Sequence, residues 1–126
     1  GLSFDAHLDG HEVTFDALED VGGKDSGPRP KPMLLASLAA CTGMDVVSLL
    51  KKMRVQYDAF TIKVTGKLTE EHPKYYHKIH LLYSLKGDDI QESKVKKAID
   101  LSQERYCGVS AMLRKAAELS YEIRLN

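Results

Sequence analysis

The 126-residue chain has no excess of charge, because eighteen Lys and Arg offset eighteen Asp and Glu. That argues against a nucleic-acid binder working through a basic face and against an acidic disordered tail. No unbroken apolar run approaches the roughly 20 residues that span a bilayer, and no signal peptide precedes the first polar residues. The expectation is therefore a cytoplasmic protein with no membrane segment. The first residue is Gly1 and not Met, which reads as a trimmed start. Cysteine is scarce: Cys41 and Cys107 are too few for a disulfide scaffold in a chain able to build its own core. Phosphate-cradling and dinucleotide glycine patterns are absent, as are CxxC, HExxH and GxSxG. The five histidines are scattered, and His77 and His80, three apart in a run that reads as a strand, point to opposite faces. A zinc site built from Cys41, Cys107 and a histidine lacks ligand spacing. Surface histidines, with no metal and no cofactor, are the plainer reading.

What is present is a hydrophobic fraction of 43%, ordinary for one compact domain spanning 1–126. Leu2, Phe4, Ala6 and Leu8 alternate with polar residues, and Val13, Phe15 and Ala17 resume the alternation after Asp9-Gly10, the mark of a hairpin. Three glycines and three prolines between Gly22 and Pro32 make a loop. From Pro32 to about Arg54 the pattern is helical, and Met33 to Cys41 is apolar on almost every side. A helix apolar all round is buried all round, and a domain this small can hardly enclose it alone, so a second subunit is expected against it. Small residues at 36, 37, 39, 40 and 43 would let another backbone approach. Residues 59–69 and 75–86 alternate as a second antiparallel pair, broken at His72-Pro73-Lys74. A charged helix from about Ile90 to Arg105 follows, with Asp89 and Glu92 as a capping pair and Val95, Ala98, Ile99 and Ser102 as its inner face. Cys107-Gly108 interrupts it, a short helix follows, and residues 119–125 form a last strand. The order ββ-α-ββ-αα-β is that of an α+β domain.

Two readings are open for each cysteine. Cys41, in the middle of the most apolar helix, is either a small core residue or a shielded nucleophile. Cys107, at a helix junction in Arg105-Tyr106-Cys107-Gly108-Val109-Ser110, is either a packing residue or a thiol facing the amides of the next helix.

The stretch Pro32-Met33-x-Leu35-(x)5-Cys41-Thr42-x-Met44-Asp45, followed much later by Tyr106-Cys107-Gly108-Val109-Ser110, resembles the OsmC/Ohr family of osmotically induced and organic-hydroperoxide-resistance proteins, and its general OsmC-like branch most. Element order and cysteine separation carry the likeness along nearly the whole chain. It implies an intertwined homodimer, two long central helices wrapped by antiparallel sheets from both subunits. It also implies a thiol peroxidase. Cys41 would be the thiolate that attacks an organic hydroperoxide, or hydrogen peroxide, and becomes a sulfenic acid. Cys107 would close the disulfide, and a dithiol such as a lipoyl group would reset the pair. Leu34, Leu38 and Met44 would line an apolar pocket for the alkyl tail, at roughly 0.8 kcal/mol per buried CH₂.

The sequence departs from the family in how the thiol is activated. In the best-studied branch a guanidinium from the first strands, held by a carboxylate ten residues before the first cysteine, supplies positive charge. Here that residue is Lys31, and residues 1–20 hold no arginine. Arg105 is the substitute placed in the catalytic set, with Arg29 and Lys31 as further cations, while Asp45, one turn after Cys41, would oppose ionisation. The alternative is a non-catalytic dimer of the same fold that binds an apolar small molecule or partner and uses both cysteines structurally.

Overall fold

The computed structural model describes all residues, Gly1–Asn126, and divides into two compact units, Gly1–Leu34 and Leu35–Asn126. The first begins with a hairpin of β1 (Phe4–Leu8) and β2 (His11–Phe15), paired antiparallel with Phe4 opposite Phe15 and Ala6 opposite Val13. Asp9 and Gly10 both have positive φ, 49° and 82°, the backbone that a two-residue turn needs to match strand twist. The loop after a 3₁₀ turn at Glu19–Val21 is organised by one buried carboxylate: Asp16 accepts the N–H groups of Ala17, Lys24 and Ser26 and the Ser26 hydroxyl. These donors hold its carboxyl far below the usual carboxylate range.

Helix α1 (Pro30–Lys52) starts two residues before the expected Pro32, because Pro30 and Pro32 both fall in the first turn, where no N–H is needed. Lys51 and Lys52 lie at its carboxyl end. Beyond them Arg54 takes positive φ, its N–H bonded to Lys51 O and that of Val55 to Leu50 O, which closes the helix. By length and composition alone, with a mean hydropathy of 1.8 over its most apolar window, α1 could cross a membrane. No unbroken apolar run underlies this, since a helix reaches such a mean while carrying isolated polar residues. Its Leu35, Leu38, Thr42, Val46 and Leu50 are instead buried in this chain's own core.

The second unit is a three-stranded sheet in the order β3-β4-β5, from β3 (Ala59–Leu68), β4 (Tyr76–Lys86) and β5 (Glu118–Leu125). Ile79, Leu81, Tyr83 and Leu85 form the inner face of β4 and join α1 and Val95, Ala98 and Ile99 of α2 (Glu92–Leu101) in one core. Gly43 of α1 lets β3 come close, since a Cβ there would meet Ile62 Cδ1 at 3.1 Å. On the outer face His80 bonds Ser120 Oγ at 2.8 Å and Glu122 at 3.0 Å across β4 and β5.

Three local expectations are corrected. β5 runs parallel to β4, not antiparallel, because the helical crossover returns the chain in its original direction. The cap of α2 is Gln91 with no side-chain bond, and Asp89 has φ 55°, outside the geometry of a capping pair with Glu92. The charged helix does not run on to Arg105: after Leu101 it widens into a π turn, Ser102–Tyr106, before the short α3 (Gly108–Leu113).

Candidate functional site

Cys41 lies eleven residues past the start of α1, on the flank of its buried stripe, and is half-buried. Cys107 is 3% exposed and stands between the π turn and α3. Remote in sequence, the two thiols come within hydrogen-bonding reach of each other, and both are free. Successive amides at the start of α3 face the pair: Val109 N–H points to Cys41 sulfur, and Ser110 N–H donates to Cys107 Sγ at 3.3 Å.

Burial pushes the Cys41 thiol pKa up, and the neighbouring Cys107 and the Asp45 charge push in the same direction; the Val109 N–H opposes them. None of these principal influences is a cation. Arg105, at the end of the π turn, is exposed and is not among them. Arg29 is committed to an ion pair with Asp25. Of the three apolar residues expected around a substrate, Leu38 is completely buried in the core and so cannot line an open pocket as the chain stands. Leu34 is half-exposed on α1. Met44, 74% exposed, lines an open apolar groove of about 620 Å³ with Ala40, Gly43, Val47, Phe60 and Ile62. No cluster of three or more His, Cys, Asp or Glu side chains is arranged to hold a metal.

Sequence reasoning missed the polar lattice behind the thiols. Thr42 Oγ1 lies 2.8 Å from both Tyr83 Oη and Ser102 Oγ. Ser102 donates to Asp45 at 2.9 Å, and the Gln103 amide donates to Tyr83 at 3.0 Å and to Thr42 at 3.3 Å. Thr42, Tyr83 and Ser102 are wholly buried, and burial pushes the Tyr83 phenol up, against its hydrogen bonds with Thr42 and Gln103. The available signal was Thr42 itself, a hydroxyl on the otherwise apolar stripe of Leu35, Leu38 and Val46.

The family model described as OsmC-like protein matches residues 23–122. Protein YhfA of Escherichia coli (strain K12) is 35% identical over 126 residues, covering 98% of this chain and 91% of that protein. An OsmC-like protein from Mycoplasma pneumoniae has the same fold, with a TM-score of 0.80 at 23% identity over 98% of this chain and 88% of that one. An organic hydroperoxide resistance protein OsmC from Legionella pneumophila, 12% identical, matches with a TM-score of 0.67 over 98% of this chain and 97% of its own, a likeness of fold alone.

Proposed function

The chain belongs to the OsmC-like family, and from that membership and the facing thiols we propose that it is a thiol peroxidase that reduces organic hydroperoxides through Cys41 and Cys107. The observation that carries this reading is the contact between two free thiols that the fold brings together from distant segments. A packing role requires no such meeting. Solved structures of the same fold named as organic hydroperoxide resistance proteins supply the substrate class.

In this reading Cys41, as thiolate, attacks one peroxide oxygen. The O–O bond breaks, the alkoxide leaves and takes a proton to become the alcohol, and Cys41 carries a sulfenic acid. Cys107, losing its proton, attacks the Cys41 sulfur, water departs, and the disulfide closes. A dithiol reductant of lipoyl type then returns two electrons and two protons. Arg105, exposed at the end of the π turn, is the candidate cation for activating Cys41 in this cycle. Met44 and Leu34 offer apolar surface to the alkyl tail. The reducing conditions this cycle needs suit a cytoplasmic setting, and the partner that covers the exposed face of α1 is a second copy of the chain.

One equivalent of cumene hydroperoxide, added to the reduced protein, tests this by intact mass and free-thiol count, with hydrogen peroxide in parallel. The expected result is loss of both thiols within minutes and a mass decrease matching one internal disulfide. Thiols that persist as long as free cysteine would sink the peroxidase reading. The alternative, a non-catalytic dimer that binds an apolar small molecule and uses both cysteines structurally, would then be tested by a ligand search.

A further inference from the structure

We propose that Ser102 is the positioning residue of the cysteine pair, holding Cys107 against Cys41 by anchoring the π turn to the helix that carries Cys41. The proposal rests on the peroxidase reading for its purpose, though not for its geometry. The carbonyl of Ser102 accepts the Cys107 N–H at 2.7 Å, the five-residue bond that defines the wide turn. Its hydroxyl lies 2.8 Å from Thr42 and donates to Asp45 at 2.9 Å. Thr42 adjoins Cys41 in sequence, and Asp45 stands one helical turn beyond it. A single residue therefore grips the backbone of one cysteine and the two flanking side chains of the other.

The hydrogen bonds run in one sense only. The Asp45 carboxylate accepts and cannot donate, so Ser102 spends its only proton there. Thr42 must then donate to Ser102, and Tyr83 to Thr42, while the Gln103 amide fills the remaining lone pairs of Tyr83 and Thr42. With every hydroxyl committed, the lattice has no second arrangement of equal quality, and its members from α1, β4 and the π turn are held in fixed register. A buried Ser102 that served packing alone would be replaced at lower cost by alanine, because a buried hydroxyl must be hydrogen-bonded to be tolerated. Closure of a disulfide is steeply sensitive to the separation and direction of its two Cβ atoms, so a registered frame favours it.

The test uses the full chain and no peroxide. Wild type and variants are equilibrated in mixtures of oxidised and reduced dithiothreitol, and the Cys41–Cys107 disulfide is quantified by intact mass. Ser102→Ala is expected to lower the equilibrium constant for closure about tenfold, with the circular dichroism spectrum unchanged. Asp45→Ala, at a half-buried position, is expected to lower it about threefold. Asp45→Asn removes the charge and keeps the accepting oxygen, and is expected to stay within about twofold of wild type. A structural role alone would move the melting temperature and leave this constant where it was. A folded Ser102→Ala with the wild-type constant overturns the proposal. If Ser102→Ala does not fold, equal constants for Asp45→Ala and Asp45→Asn overturn it. A wild-type chain that forms no disulfide under these conditions removes its premise and overturns it as well. Wild type that closes with dithiothreitol yet ignores cumene hydroperoxide would end the peroxidase reading and leave Ser102 in its role.

Discussion

At Cys41 the forces on the thiol run against ionisation. Burial, the adjacent Cys107 thiol and the Asp45 carboxylate one turn away all favour the protonated form, and only the Val109 N–H opposes them. An ordinary cysteine is already only a few per cent thiolate near neutral pH. Alkylation of the reduced Cys107→Ser variant by iodoacetamide is therefore expected to be slower at neutral pH than that of free cysteine. Its pH profile should inflect on the alkaline side of the ordinary value, less far once the Cys107 thiol is gone. Asp45→Asn should move the inflection toward neutrality, and an unmoved profile would show that the Asp45 charge does not reach the thiol. The linkage has the same sign. A group whose folded pKa is raised contributes stability that is complete below its unfolded value, about 8.5 for cysteine, and lost as pH rises through the folded one. The two cysteines stood out in the sequence through their spacing and family resemblance. The lattice behind them did not, because Tyr83 reads as an inner residue of a strand and only the fold brings Thr42, Ser102 and Asp45 together.

Individual elements carry their own tests. Arg54 closes α1 from a left-handed conformation, φ 59°, that costs any residue with a Cβ. Arg54→Gly is expected to stabilise the second unit by about 0.5 kcal/mol, after the greater freedom of glycine in the unfolded chain is subtracted. Chemical denaturation would measure it, and a loss of stability would mean that the arginine side chain makes up for its strain. Asp16 organises the loop before α1. Its pKa is lowered in the fold, so its contribution is complete above the unfolded value, about 3.9, and falls away as pH drops below it. The protection of the Lys24 and Ser26 amides, taken relative to the intrinsic exchange rate at each pH, should fall below that pH in wild type, and should already be weak at neutral pH in Asp16→Asn. Hairpin, loop, long helix and alternating strands were legible because glycine, proline and hydrophobic period act locally. The parallel pairing of β5 and the π turn were not. The first depends on where a crossover delivers the chain, and the second on one wide hydrogen bond between Ser102 and Cys107, with no residue pattern of its own.

At the scale of the whole molecule, large apolar side chains are left uncovered in both units. Within the first unit, Phe4 and Leu8 stand 73% and 55% exposed on a two-stranded hairpin, a structure of marginal stability in water unless something packs on it. Within the second, Ala40, Met44, Val47 and Lys51 follow one another along a single face of α1, with Met44 74% exposed. The sequence expectation that α1 is too apolar to be enclosed by its own chain has its physical content here: Leu35, Leu38, Val46 and Leu50 are covered, and the opposite face is not. A second copy, presenting the same stripe, is the occupant proposed for this surface, since a two-fold interface is self-complementary by construction. Burial of a large apolar side chain contributes about 1.5–3 kcal/mol, and a like charge set opposite its own copy costs several kcal/mol instead. Sedimentation velocity at micromolar concentration is expected to give twice the chain mass for wild type. Val47→Asp should give the single-chain mass with the hydrogen-bonded lattice around Thr42 intact, because Val47 faces away from that lattice. A wild-type chain that sediments as a monomer would reject the second copy, and the stripe would then have to meet an apolar ligand or a different protein.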